Sequence, residues 1–342
     1  DEGWKNWGWA RNYDTPQDSA AVRDAYEEIF HRILPGVVEA QDPGRRYWPS
    51  SPSLGWGDPE SLNRGDSHYW GVWHGAEPFS KYEETPTRFM SEYGFQSFPE
   101  LKSIKSFVPP WEEMAIDSRS MLSHQKHPRG NQLIREYMLR DYPEPKDFPS
   151  FLYDSQVLQA VGIKMGAEYH RRSMPRTMGT LYWQANDCWP VASWASTDYY
   201  GRWKALQYYA RRFFENVLAS TAESDGKVQV YVVSDLVDPL AGTLEASLLD
   251  LSGKALWSET KDLEIQPLAS RVELEVGKDE LLGSHDPATV FLHVKVTADG
   301  ETLSSNNRFF EPPKDLALDR PTLQAEVTSS GGGFGITVTT DT

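Results

Sequence analysis

The pattern of hydrophobic and polar positions divides the chain near residue 220 into two parts. In the first part, segments with helical spacing of apolar residues alternate with short aromatic runs. Strands alternating with helices predict βαβ units around a parallel sheet that is buried on both faces. Pro35-Gly36 is expected to end the first helix. The predicted helices are 19–34, 111–123, 131–140, 153–171 and 204–215, and the predicted strands are 45–48, 68–73, 88–95 and 178–184.

The second part has short strands in which apolar and polar residues alternate, separated by turn residues. This spacing predicts an antiparallel sandwich of the immunoglobulin type over residues 220–312. A proline-containing linker then leads to two strands, 323–329 and 334–339, joined at Ser330-Gly331-Gly332-Gly333. Two strands do not make a stable domain by themselves. Residues 313–342 are therefore predicted to be a linker and the start of a further, truncated β-sandwich.

The amino-acid composition limits the classes of binding partner that are expected for this chain. The chain contains 13 Trp, 16 Tyr and 14 Phe and has a net charge of −16. Aromatic faces stack on bases or on sugars, and the negative charge argues against nucleic acid. No apolar run approaches the length of a membrane span. The eight His are scattered without metal-ligand spacing, and the single cysteine, Cys188, is predicted to be a small buried side chain.

Glu92 is the first candidate catalytic residue because it lies among aromatic residues in the segment 88–99. Burying an ionised side chain among rings is costly unless it is paired or hydrogen-bonded. Carboxylates held in this way are frequent in functional clefts. The residues alone leave an alternative open, in which Glu92 ends a strand and pairs with Arg88 or caps a helix.

Three blocks of sequence, 68–75, 88–99 and 179–206, together resemble the β-mannosidases of glycoside hydrolase family 2, and the last block is similar to bacterial members. The resemblance implies a (β/α)8 barrel followed by immunoglobulin-like domains. In that frame, residues 1–219 are the C-terminal half of the barrel, with strands five to eight at 45–48, 68–73, 88–92 and 178–184. The fold class expected is thus multidomain, α/β plus all-β.

The resemblance also implies a retaining exo-β-mannosidase that removes terminal β-D-mannose without a cofactor. Glu92 then matches the family's nucleophile at the end of strand seven, where barrel enzymes place catalytic residues. The family's acid/base is the Glu of an Asn-Glu pair at the end of strand four, and the match begins just after that point. Glu2 lacks the preceding Asn and is not expected to replace it. The chain is expected to need the missing N-terminal half as a partner and to be inactive alone.

Further residues are expected to bind the substrate, each with a structural alternative. Trp183 matches the aromatic floor beneath the mannose, and core packing is its alternative. Trp73 and His74 end the sixth strand, where a ring and a hydrogen-bond donor could contact the sugar. Trp56 could line the entrance or anchor its loop. Asn186 could contact the sugar or support the loop after the last strand.

Two rival interpretations remain. One is another family 2 glycosidase, of the endo-β-mannosidase, β-galactosidase or β-glucuronidase type. The other is a non-catalytic carbohydrate-binding sandwich, which the carboxylate in the 88–99 block disfavours. For a bacterial member, the periplasm and the cytoplasm are the two compartments expected.

Overall fold

The computed structural model describes residues 1–340, which form two compact units. The first unit contains residues 1–216, 233–235 and 268–271, and the second contains 217–232, 236–267 and the residues from 272 onward. Within the described residues, no helix is both long enough and apolar enough to cross a membrane.

Helices make up most of the regular structure of the first unit. Three of the predicted helices, 131–140, 153–171 and 204–215, are confirmed, whereas only the end of 111–123 is helical. The longest helix begins where the Asp147 side chain accepts a hydrogen bond from the Ser150 N–H at 2.8 Å, an N-terminal cap. The helices are α1 Glu2–Lys5, α2 Pro16–Glu27, α3 Leu34–Gln41, α4 Leu101–Ile104, α5 Arg119–Ser123, α6 Gly130–Asp141, α7 Phe148–Arg172 and α8 Ala205–Phe213.

The prediction that Pro35-Gly36 ends the first helix is wrong. A π-helical turn, Glu28–Ile33, joins α2 directly to α3, and the Leu34 N–H bonds to the Ile29 carbonyl five residues earlier. Pro35 therefore stands in the first turn of α3, where its missing N–H costs little. Helical backbone continues to Gln41 for that reason.

Two short parallel strands, β1 Ser67–His68 and β2 Met90–Glu92, lie side by side in the first unit. On its other side, Met90 forms a parallel bridge with Thr180, so the predicted strand 178–184 is reduced to that bridge. The predicted strand 68–73 is also shorter, because the His74 N–H bonds back to the Trp70 carbonyl and closes a turn. The predicted strand at 45–48 is wrong, since those residues have no regular structure.

Aromatic side chains fill the core of the first unit. Tyr82, Tyr93 and Phe95 are completely buried in it. Helix α7 approaches these rings through glycines: a Cβ at Gly162 would stand 2.2 Å from the ring of Phe79, and one at Gly166 would stand 2.8 Å from that of Tyr93. The close contact requires glycine although glycine weakens a helix.

The second unit is a seven-stranded sandwich followed by a hairpin. One sheet has the order β3-β4-β7 and the other has the order β6-β5-β8-β9, with alternating apolar residues buried between them. The strands expected from the alternating pattern of residues 220–312 are present, and β3, which precedes them, was not predicted. The strands are β3 Val217–Ser224, β4 Lys227–Ser234, β5 Leu240–Asp250, β6 Ala255–Ile265, β7 Ala269–Gly277, β8 Val290–Ala298 and β9 Glu301–Phe309, and helix α9, Lys278–Leu282, precedes β8.

The terminal hairpin consists of β10 Leu323–Ser330 and β11 Gly333–Thr340. Its apolar side chains are exposed, Phe334 by 80% and Ile336 by 69%. Both predicted strands are therefore present. That they begin a further sandwich stays a prediction.

Candidate active site

Glu92 is the last residue of β2, beside the end of β1. Its backbone carbonyl accepts a hydrogen bond of 2.8 Å from the Tyr69 N–H, and His68 is its partner across the strand pair. The parallel pairing therefore brings His68 next to Glu92, whose side chain is 25% exposed. The Glu92 carboxylate is therefore partly accessible to solvent, while the Glu92 backbone is fixed by its hydrogen bond to the neighbouring segment.

Three carboxylates surround the imidazole of His68. Its Nδ1 lies 3.4 Å from Glu92 Oε2 and 3.3 Å from Glu2 Oε2, and its Nε2 lies 3.9 Å from Asp66 Oδ2. Asp66 is itself held by hydroxyl donors, since the Ser51 and Ser91 side chains both donate to its Oδ2. The imidazole therefore joins the three carboxylates in one cluster of polar side chains.

The protonation state of Glu92 is set by opposing effects. Burial raises its pKa above the ordinary value, whereas the charge of His68 and the indole N–H of Trp70 lower it. The Trp70 Nε1 donates to Glu92 Oε2 at 3.3 Å. The negative charges of Glu2 and Asp66 raise the pKa further. His68 and Trp70 therefore favour the ionised form of Glu92 against the effect of burial.

If Glu92 is the nucleophile expected from the sequence, His68→Gln in the intact protein should move the acidic limb of the pH profile of kcat/KM to higher pH. The substitution removes a cation that lowers the pKa of Glu92, so a larger fraction of Glu92 is protonated at any acidic pH. The measurement is the pH dependence of kcat/KM, with His285→Gln, an exposed histidine of the second unit, as control. An acidic limb unchanged by His68→Gln would contradict this role.

Trp183 is held beside the residues that follow Glu92. Its backbone N–H donates to the Tyr93 carbonyl at 2.8 Å. A Cβ at Gly94 would stand 2.4 Å from the Trp183 carbonyl oxygen. Glycine at position 94 therefore allows the two segments to approach. The Trp183 side chain is 43% exposed, so part of it is open to a ligand.

The three other aromatic candidates occupy different environments. Trp73 is completely buried, with its ring 4.9 Å from that of Phe95 in an edge-to-face arrangement, which favours the packing alternative. His74 is exposed, and its ring lies 5.2 Å from that of Trp70. Trp56 is 36% exposed and lies against Gly75, where a Cβ would stand 3.0 Å from the ring. His74 and Trp56 are thus available at the surface, and Trp73 is not.

The loop after Trp183 contains one exposed candidate and one buried support. Asn186 is exposed, and its carbonyl accepts from the Gln184 side chain at 3.0 Å. Asp187 is buried and accepts from Lys126 at 3.0 Å and from Ser193 Oγ at 2.7 Å. The prediction that Cys188 is buried is wrong, because Asp187 takes the inward position and Cys188 faces solvent.

Sequence reasoning did not assign His68, Asp66 or Trp70 to the site, nor did it predict that Lys204 is buried. Asp66, His68 and Trp70 all precede the turn at 71–75. A prediction that their segment pairs with the strand that ends at Glu92 would have placed them beside it. Lys204 is completely buried, donates to the Ser97 and Ser193 carbonyls at 3.1 and 3.2 Å, and has its pKa lowered to about 7 by burial. Within residues 1–340, no group of three or more potential ligands is placed to hold a metal ion.

Comparisons with known proteins relate this chain to glycosidases. A family model described as "Mannosidase Ig/CBM-like domain" matches residues 226–315. The chain is similar to Beta-mannosidase of Mus musculus, with 35% identity over 244 residues that cover 65% of this chain and 27% of the relative. Beta-mannosidase B of Aspergillus niger is 31% identical over 266 residues, which cover 71% of this chain and 31% of the relative.

Solved structures give the same relationship. The crystal structure of Beta-D-Mannosidase from Dictyoglomus thermophilum superposes with a TM-score of 0.82 at 32% identity, covering 92% of this chain and 38% of that one. The exo-chitosanase of Amycolatopsis orientalis has a TM-score of 0.59 at 16% identity and shares the fold alone, covering 78% of this chain and 36% of that one.

The shared fold places the chain among glycosidase structures. Within that class, the sequence relationship confirms the resemblance seen in the motifs: the chain is a homologue of the β-mannosidases and corresponds to part of them. It spans 27–39% of the length of the curated relatives it matches.

Proposed function

We propose that the chain is part of a retaining exo-β-mannosidase and that Glu92 is its nucleophile. The observation that carries the proposal is the arrangement at the end of β2, where Glu92 is part-buried and faced by His68 at 3.4 Å and by the Trp70 indole at 3.3 Å. Both groups stabilise the ionised carboxylate. The relationship to β-mannosidases supplies the substrate class, a terminal β-D-mannoside.

For the architecture, we propose that residues 1–219 are the C-terminal half of a (β/α)8 barrel. The parallel order of β1, β2 and the Thr180 bridge supports consecutive barrel strands six, seven and eight. Residues 220–312 then form the immunoglobulin-like domain, and 313–342 form the linker and the start of a further sandwich. The boundary between the two compact units falls at residues 216 and 217, which supports the first limit of this division.

In the proposed mechanism, Glu92 attacks the anomeric carbon and forms a glycosyl-enzyme, which water then hydrolyses. A retaining enzyme needs a second carboxyl group roughly 5–5.5 Å away to protonate the leaving oxygen and then activate water. We assign that acid/base to the larger part of the β-mannosidases that this chain does not cover. Glu2, at 3.3 Å from His68 Nδ1, serves instead as a second charge partner of the imidazole.

We assign the substrate contacts to those candidate side chains that are exposed to solvent. Trp183 offers part of its ring to the sugar beside Glu92, and His74, Trp56 and Asn186 are open at the surface. Trp73 is assigned to the wall behind them, because its completely buried ring has no free face. The ligand is a neutral β-mannoside oligosaccharide.

The test is the stereochemical course of hydrolysis by the intact enzyme. With an aryl β-mannoside, proton NMR of the first product formed should show the β-anomer, because two displacements at one carbon retain configuration. Release of α-mannose would contradict the nucleophile assignment. Preferential cleavage of β-galactosides, β-glucuronides or β-glucosaminides, or of internal mannan bonds, would favour another family 2 glycosidase. A folded intact protein that binds mannosides without turnover would favour a binding module.

A further inference from the structure

Lys204 is a completely buried lysine that the proposed mechanism does not use. Its ammonium donates hydrogen bonds of 3.1 and 3.2 Å to the main-chain carbonyls of Ser97 and Ser193. Burial lowers the pKa of Lys204 to about 7, against the opposing effect of the charges of Asp187 and Asp198. A buried cation is unfavourable unless it is hydrogen-bonded. The two carbonyls therefore supply the hydrogen bonds that offset the burial of this cation.

The two carbonyls belong to the segments that follow Glu92 and Trp183. Ser97 lies shortly after Glu92 in the chain, and Ser193 lies in the loop after Trp183. These segments form an antiparallel bridge, in which the Ser97 N–H donates to the Ser193 carbonyl at 3.0 Å and the Ser193 N–H donates to the Ser97 carbonyl at 3.2 Å. Lys204 therefore adds one hydrogen bond to each side of a junction between the two segments.

A second buried side chain, that of Gln159 in α7, bonds to the same two segments. Its amide nitrogen donates to the Phe95 carbonyl at 2.7 Å and to the Trp194 carbonyl at 3.0 Å. Its amide oxygen accepts from the Ser97 hydroxyl at 2.7 Å. The junction is thus fixed by side chains from two separate parts of the chain, α7 and the residue before α8.

The backbone position of Trp183 depends on this junction. The Trp183 N–H donates to the Tyr93 carbonyl at 2.8 Å, and the Gln184 N–H donates to the Trp194 carbonyl at 3.2 Å. The peptide groups on both sides of the Trp183 side chain are therefore bonded to the two segments that Lys204 joins. A shift of the loop relative to Tyr93 would move the Trp183 ring with it.

We propose that Lys204 is a positioning residue, which holds the loop after Trp183 against the segment after Glu92 and so fixes where the Trp183 ring meets the sugar. This inference rests on the proposed function, because it assigns that ring to the substrate. An apolar side chain of similar length would fill the same space, but it has no donor for the two carbonyls. Loss of the ammonium should therefore loosen the junction without emptying the core.

The test is a double-mutant cycle of Lys204→Met and Trp183→Ala in the intact protein, with an aryl β-mannoside as substrate. Neither carbonyl is left without a partner in Lys204→Met, because the Ser97 and Ser193 N–H groups still donate to them. Lys204→Met alone should raise KM ~5–10-fold and leave kcat within about threefold, because the ring contacts the sugar equally in the ground state and the transition state. In the Trp183→Ala background it should raise KM less than about twofold, since Lys204 acts through that ring.

Lys164→Met is the matched control, because Lys164 pairs with Glu168 within α7 at 3.0 Å and should leave KM at the wild-type value. An unchanged KM for Lys204→Met, or equal increases of KM in the wild-type and Trp183→Ala backgrounds, would overturn the proposal and leave Lys204 a role in folding alone. If circular dichroism shows that Lys204→Met does not fold, Gln159→Met replaces it in the cycle with the same expected results.

Inactivation of the wild-type protein by a mannosyl fluoride reports separately on the proposed function. If the wild-type protein is neither inactivated nor active, the proposed function fails. The same cycle is then measured as calorimetric binding of methyl β-mannoside. A loss of affinity in Lys204→Met that disappears in the Trp183→Ala background would support the positioning role, and additive losses or a wild-type protein that does not bind the mannoside would refute it.

Discussion

Glu92→Gln is expected to reduce kcat of the intact enzyme by ~10⁴–10⁶-fold, the loss typical of removing a catalytic nucleophile. The amide keeps the shape of the side chain and can still accept from the Trp70 indole. It cannot form the glycosyl-enzyme, so the loss is chemical and not structural. The measurement is kcat with an aryl β-mannoside, together with circular dichroism to verify folding.

Glu84→Gln is the matched control for this substitution. Glu84 is an exposed carboxylate that pairs with Lys81, and its loss should leave kcat within twofold. Azide added to Glu92→Ala should restore turnover of an activated substrate and give the α-mannosyl azide, because the small anion occupies the space of the carboxylate. A Glu92→Gln enzyme that retains a tenth of wild-type kcat would contradict the assignment.

Trp73→Ala is expected to lower the free energy of unfolding by about 3–5 kcal/mol, the cost of emptying a buried tryptophan site. The ring is completely buried against Phe95 and Trp194, so little around it can close the cavity. For a protein of this size, the melting temperature should fall by roughly 2–4 °C for each kcal/mol. Thermal and denaturant unfolding measure both quantities.

Trp183→Ala provides the comparison, because its side chain is 43% exposed. Its expected effect is on the substrate: kcat/KM should fall about tenfold or more through lost burial of the ring against the sugar, with under ~1 kcal/mol of destabilisation. If Trp183→Ala mainly destabilised the protein and Trp73→Ala mainly lowered kcat/KM, the packing and substrate-binding roles of the two residues would be exchanged. Full stability of Trp73→Ala with loss of substrate binding would restore Trp73 as a sugar contact.

Much of the fold was predictable where the pattern is strong. Strand β8 alternates between buried and part-buried residues because one of its faces packs in the sandwich core, and α7 carries a long apolar stripe. The errors lie where tertiary context decides. Pro35 is tolerated because a π-helical turn places it at a helix start, and the residues at 45–48 have no partner strand among those described.

The candidate site was predicted in part for similar reasons. Glu92 could be singled out because a carboxylate among rings is costly, but sequence spacing does not reveal which strands pair. His68 and Asp66 become visible only when β1 lies beside β2. Trp73 and His74 are neighbours in sequence, yet the turn after Tyr69 sends one into the core and leaves the other exposed.

The central claim is tested most directly by labelling the intact enzyme with a 2-deoxy-2-fluoro mannosyl fluoride and mapping the labelled peptide by mass spectrometry. Fluorine at C2 slows both displacements, and the good leaving group lets the glycosyl-enzyme accumulate. A single 2-fluoromannosyl adduct on Glu92 is expected, with inactivation slowed by a competing mannoside. A label on any other carboxylate, such as Glu2 or Asp66, would contradict it.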